Sequence, residues 1–276
     1  MEFISREPRF HINSNLYIAP GKAKEITTFP VIFERFPVDI LLAYSRELVT
    51  LDTTAKDCLV ATYYGGDMII PMLRTETKTI PSEKKQEQNW LGTDGVAIFK
   101  EGKLVDTISA YEMRGAMWIL GKMRDAEITV NAPTDGKPLD FMINQSHSKI
   151  KPIIEGNQIT MHIHCKADAS LISSQSNIPL QDPAQIKKLE DSLEELVKIR
   201  IRKAIESSQK VGADVFQFGS YLDWYVPSVW KEVAPRWRKV YRENVKIAPH
   251  VEITIKRLGT TKNPIRFHPA ESSSGG

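Results

Sequence analysis

Two histidines two residues apart, His162 and His164, are the best candidates for metal chemistry in this sequence. On a β-strand, residues i and i+2 share a face, so both imidazoles could reach one ion. His147, on the strand expected before them, is a possible third ligand. No CxxC or carboxylate-rich context accompanies them, and a polar strand face that uses histidine explains the same text. A second candidate is Glu112 with Arg114 beside Trp118, which could form an acid and a substrate clamp. Ser109-x-x-Glu112 is also a capping box, which accounts for the glutamate without catalysis. A third is the aromatic group Trp224, Tyr225, Trp230, Trp237 and Tyr241. It could line a ligand pocket, although aromatics at such spacings more often build core. The basic run Arg236, Arg238, Lys239 and Arg242 could meet lipid headgroups or an acidic partner, or be a solvated helix face.

The text contains no phosphate-binding GxxxxGK[ST], no GxGxxG, no GxSxG and no HExxH. No residue is therefore assigned as catalytic, metal-binding or cofactor-binding, and no cofactor is expected. The composition suits a globular protein, with 41% hydrophobic and 26% charged residues. A net charge of +3 is too mild to suggest nucleic acid. No apolar run approaches the roughly 20 residues of a membrane span. The two cysteines, Cys58 and Cys165, could pair or stay free.

The elements that must position these residues read unevenly. Before Val38, prolines at 8, 20, 30 and 37 discourage long helices. Val38–Leu51 suits a helix or a strand. Leu59–Tyr64 reads as a strand ending at Gly65-Gly66, and Thr75–Asn89 as an exposed linker. Val96–Lys100 and Lys103–Thr107 form a predicted hairpin across Glu101-Gly102. A helix follows Ser109 and ends near Gly121. Strands are expected at Glu127–Asn131, Leu139–Ile150 and Asn157–Lys166. In the last, Ile159, Met161, Ile163 and Cys165 face inward, with Thr160, His162, His164 and Lys166 outward.

Asp182-Pro183 opens a long amphipathic helix to about Gln209, striped by Ile186, Leu189, Leu193, Leu196, Val197, Ile201, Ala204 and Ile205. Pairs such as Glu194–Lys198 should support it. After a loop or short strand over Asp214–Gly219 come short helices carrying Trp230 and Trp237, then a strand over Val251–Arg257. The fold class is α+β: an antiparallel β-sheet packed against one long helix and shorter helices, preceded by a smaller irregular α/β N-terminal region. The divisions are 1–80 as a partial N-terminal region, 81–259 as a C-terminal domain and 260–276 as a flexible tail.

Residues 90–121 carry Gly95, Ala97, Phe99 and Lys100, then Lys103-Leu104-Val105, then Glu112, Arg114, Gly115 and Trp118. Further on stand Ala213-Asp214, Phe218-Gly219, Pro227, Trp230, Trp237, and Lys256, Arg257 and Gly259. In this order they resemble the spore germination receptor C-subunit family of the Ger(x)C type, over roughly residues 90–260. The resemblance implies a non-catalytic subunit of a nutrient germinant receptor at the outer face of the spore inner membrane. Its implied partners are integral-membrane A- and B-type subunits and the membrane surface, with no nucleic acid. Family members begin with a signal peptide and a lipid-carrying cysteine. The text MEFISREPRF shows neither, so a shortened N-terminal part without that anchor is expected. The alternative is a soluble binding module for a small nutrient, seated among Trp224, Tyr225 and Trp230.

Overall fold

The computed structural model describes residues 6–7, 11–27, 29, 36–79 and 87–257. The expected tail at 260–276, Gly259 and the middle of the 75–89 segment lie outside the described residues. The N-terminal part includes helices α1 (Ala23–Ile26), α2 (Pro37–Arg46) and α3 (Ala55–Tyr63). Strands β1 (Met68–Thr79), β2 (Glu87–Lys100) and β3 (Lys103–Ile108) then form an antiparallel sheet in sequence order. Helix α4 (Ala110–Ile119) leads to β4 (Arg124–Asn131), β5 (Pro138–Glu155) and β6 (Gln158–Ser174). The long helix α5 (Pro183–Val211) and short helices α6 (Phe218–Tyr225), α7 (Pro227–Val233) and α8 (Trp237–Glu243) precede β7 (Val245–Arg257). The second sheet has the order β4-β5-β6-β7.

The α+β class holds, with two sheets where the sequence suggested one. Strands β4, β5 and β6 pair antiparallel, but β7 pairs parallel to β6, with Ile163 opposite Pro249 and Cys165 opposite Val251. Parallel neighbours need a crossover, and α5 to α8 supply it. The outer edge of β7 would leave backbone donors bare. Two acidic side chains of α5 cover it: Ile253 N donates to Glu194 Oε1 at 3.3 Å and Ile255 N to Glu190 Oε1 at 2.9 Å. Pro249 has the same strand parity, so its missing N–H falls on that edge and costs no ladder bond. This explains why Glu194 makes no pair with Lys198. The i,i+4 pair on this helix is Lys187–Asp191 at 3.0 Å.

Two N-terminal expectations are corrected. Residues 59–63, read as strand, are the end of α3. Thr54 Oγ1 accepts from Asp57 N, and Thr54 N donates to Asp57 Oδ2 at 2.9 Å, so a capping box starts a helix here. Its buried residues Ala55, Cys58 and Ala61 keep helical spacing. The 75–89 segment, read as linker, is strand at both described ends: Thr75 pairs with Leu91 and Thr77 with Asn89. Arg74, Thr75, Thr77 and Thr79 are all exposed, so the ribbon shows no apolar alternation.

The rest follows its sequence signals. Glu101 (φ 52) and Gly102 (φ 73) make the tight β2–β3 turn. Ser109 and Glu112 form the capping box of α4. Asp182 caps α5 through Ala184 N at 2.9 Å, and Gly212 ends it in the left-handed region. Pro152 sits inside β5, opposite Met161. This is tolerated because β4 pairs only with the first half of β5, ending at Gln145, which leaves the other edge beside Pro152 open.

The main hydrophobic core joins both sheets with α4 to α8 and contains Val96, Ile98, Trp118, Phe141, Met161, Leu193 and Tyr241, while α1 and α3 pack in two smaller clusters. Where α4 crosses α5, a β-carbon on Gly115 would lie 2.0 Å from the Arg200 carbonyl oxygen. Only glycine lets the two backbones come this close.

Candidate functional site

The segment after Gly212 wraps around one buried carboxylate. Asp214 accepts from Phe218 N at 2.9 Å, Gly219 N at 2.7 Å and Trp237 Nε1 at 2.8 Å. It thereby caps α6 from four and five residues upstream, which is why a loop expectation at 214–219 gave no sign of the helix. A β-carbon on Gly219 would sit 2.8 Å from Trp230 and 2.9 Å from the Trp237 indole nitrogen. The two indoles pack edge to face over that glycine, with centroids 5.6 Å apart. Desolvation pushes Asp214 up to about 6, against the opposing pull of its three hydrogen bonds.

A second buried carboxylate, Asp67, lies beside it. Asp67 Oδ2 accepts from Asp214 N at 3.1 Å, and Arg238 grips Asp67 through Nε and Nη2, the latter at 2.9 Å. Arg238 also donates to Gly65 O and to Glu101 Oε1, both at 2.6 Å. Gln217 Nε2 reaches Asp67 O at 2.7 Å. This knot ties the entry to β1, the β2–β3 turn and α8 together. Arg238 was read only as part of a basic run, and no pattern in the sequence pairs it with Asp67.

The proposed aromatic pocket is divided. Trp237 and Tyr241 are core residues; the Tyr241 hydroxyl meets Ser208 Oγ at 2.8 Å. Trp230 is half-buried, while Trp224 and Tyr225 are exposed at 65% and 53%. Between α3 and α8 runs an open groove of about 420 Å³, bordered by Tyr63, Tyr64, Trp230, Arg236 and Lys239. Tyr63 is 81% exposed at its rim. Among the basic run, Arg242 pairs with the adjacent Glu243 at 2.8 Å.

Glu112, Arg114 and Trp118 do not converge on a cleft. Trp118 is fully buried in the core. Glu112 bonds Ser109 and accepts from Ser207 at 3.1 Å. Burial pushes the Glu112 carboxyl up, but the Ser109 and Ser207 bonds outweigh it and its pKa is lowered. Arg114 is half-buried, and burial with the neighbouring Arg200 lowers its pKa. Cys58 and Cys165 are buried free thiols in different clusters. His147 stands opposite Lys166, diagonal to His164 on the same sheet face, but outside the cluster of imidazoles whose nitrogens converge. The third histidine beside those two is His250 of β7, directly across from His164.

Comparison with known proteins decides the family. The family described as spore germination B3/GerAC-like, C-terminal, matches residues 94–259. The chain belongs to this family. Among its relatives in Bacillus subtilis (strain 168), spore germination protein B3 is 25% identical over 252 residues, covering 86% of this chain and 63% of that protein. Spore germination protein YndF is 27% identical over 171 residues, covering 61% of this chain and 42% of its own length. The chain thus spans less than two thirds of these relatives. The crystal structure of the GerBC protein shares the fold, with a TM-score of 0.68 at 20% identity over 89% of this chain and 70% of that one.

In this GerAC-like member, the residues that carry the sequence resemblance hold the fold together. Gly115 permits the α4–α5 crossing, Asp214 organises the α6–α8 segment, and Gly219 seats Trp230 and Trp237. Lys100 Nζ donates to Val211 O at 2.8 Å, meeting the last carbonyls of α5 with a cation. Among the described residues, no helix is long and apolar enough to cross a membrane.

Proposed function

We propose that this chain is a non-catalytic subunit of a nutrient germinant receptor complex at the spore inner membrane, required for germination and working beside integral-membrane A- and B-type subunits. The observation that carries this reading is the family match over residues 94–259, joined by relatives whose names are spore germination proteins. The surface supports a docking role. Tyr63 stands exposed at the groove that Arg236 and Lys239 also border, Trp224 and Tyr225 are exposed at the end of α6, and aromatics with arginine are residue types that anchor protein interfaces. The buried roles of Trp118, Trp237 and Arg238 fit a scaffold for that surface. Deleting the gene and following nutrient-triggered loss of spore refractility tests the proposal. A defect restored by the wild-type gene is expected; a normal response to every germinant overturns it.

The open groove beside Trp230 favours one second reading, a binding module for a small nutrient. Titrating the purified chain with germinant amino acids and sugars by calorimetry tests it, and a saturable heat signal lost in Trp230→Ala is its expected result.

A further inference from the structure

The outward face of the second sheet carries three imidazoles side by side. His162 and His164 project from β6 and His250 from β7, which runs parallel to β6 and is in register with it. His162 Nδ1 and His250 Nε2 are 3.0 Å apart. The rings of His164 and His250 stack with centroids 4.7 Å apart, and those of His162 and His250 at 5.2 Å. One nitrogen from each of the three lies within 4.8 Å of the other two. Around a zinc ion, nitrogens bound at about 2.0–2.1 Å lie roughly 3.3 Å from one another. Modest rotation of the imidazoles therefore turns this stack into a set of converging ligands. The backbone beneath is two paired strands, so the ligand origins are fixed before any ion arrives.

We propose that His162, His164 and His250 form a binding site for a divalent transition-metal ion of the zinc class, with a fourth position open to water or to a donor from a partner. Three imidazoles select zinc, cobalt, nickel or copper over calcium or magnesium, which prefer oxygen. The open fourth position follows from exposure: His164 and His250 are exposed and His162 half-buried.

The placement rests on the fold: the parallel addition of β7 puts His250 next to His164, 86 positions further along the sequence.

The site is independent of the germination reading and is tested on the purified chain of residues 1–276. After dialysis against a chelator, the protein is titrated with zinc chloride by calorimetry and with cobalt chloride by visible absorption. One ion per chain, with the d–d bands of tetrahedral cobalt, is expected. His164→Ala and His250→Ala should each weaken zinc by at least about 100-fold, since loss of even an outer partner costs 10–100-fold. His147→Ala, diagonal to His164 on β5 but outside the three-imidazole cluster, should leave affinity unchanged. Unaltered far-UV circular dichroism shows that the variants fold. Binding below one ion per chain overturns the site. So does retained affinity in either ligand variant, or an equal loss in His147→Ala.

Discussion

Arg238 and Asp67, 171 residues apart in sequence, form a two-pronged ion pair in which Nε and Nη2 of the guanidinium both donate to one carboxylate. The carboxylate side chain is 5% exposed and the guanidinium side chain 30%. The pair holds an N-terminal strand entry against a C-terminal helix, so it couples the two ends of the chain directly. Glu101, Gly65 and the Asp214 backbone attach to the same two residues. The aromatic segment is therefore tied to the residues that lead into β1.

Arg238→Gln should cost about 3 kcal/mol, at the lower end for breaking a buried pair because the arginine is partly open to water. Asp67 keeps its backbone donors but loses its counter-charge. Arg238→Lys keeps charge without the fork and should cost less. Urea melts of the three proteins give the ordering wild type, Lys, Gln. Equal stability of wild type and Gln would show that the pair contributes nothing.

Asp214→Asn should cost about 1–3 kcal/mol at pH 7, because an amide cannot accept from Phe218 N, Gly219 N and Trp237 Nε1 together, and buried donors go unpaired. The penalty depends on pH with a definite sign. The native Asp214 carboxyl lies near 6, above its ordinary value of 3.8, so between those values the native state binds more protons than the unfolded state. The wild type then loses stability as pH rises from about 4 to about 6, by at most about 3 kcal/mol. Asparagine has no such arm, so the gap between the two proteins should widen on going from pH 7 to pH 4.5. Chemical denaturation at both values measures it; a constant gap would mean that Asp214 titrates alike in both states.

The sequence showed what local rules govern. The Ser109 and Asp182 caps, the Glu101-Gly102 turn and the α5 stripe all emerged because one turn or one face decides each. The helix α3 was also announced, by Thr54-x-x-Asp57, but Leu59–Tyr64 with two glycines after it looked more like a strand. The outer part of the β1–β2 ribbon carried no signal, since Arg74, Thr75, Thr77 and Thr79 are all polar and exposed. His250 was unreadable as a neighbour of His164, because strand order, and the parallel sense of β7 with it, is a property of the whole fold. The same holds for Asp67 and Arg238.

Gly115→Ala should destabilise by about 1–3 kcal/mol or more, because its β-carbon would overlap the Arg200 carbonyl of α5. In an exposed helix the same change would help. A fall in Tm by calorimetry checks it, and a rise would show that the two helices can separate at no cost.

Cys58 and Cys165 should ignore thiol reagents in the native state. Desolvation pushes both thiols up to about 11, so almost no thiolate exists at pH 8, and both side chains are buried. Ellman titration should count no reactive thiol in buffer and two in denaturant. Prompt labelling in buffer would reveal an opening that exposes the α3 face or the β6 face.

Trp224 and Tyr225 separate function from folding. Both are exposed at the end of α6, and Trp224 touches Tyr221 edge-on at 5.5 Å. Replacing both with alanine should change stability by no more than about 0.5 kcal/mol, as for surface sites. If this face anchors another receptor subunit, the same double variant should fail to restore germination to deletion spores, since buried aromatic anchors carry much of an interface. Trp237→Ala should also fail, but through unfolding, because its ring is in the core and its N–H holds Asp214. Immunoblots of spore membranes distinguish the two: the Trp224/Tyr225 variant should accumulate normally and the Trp237 variant should not. Full germination with the double variant would place the docking face elsewhere on the molecule.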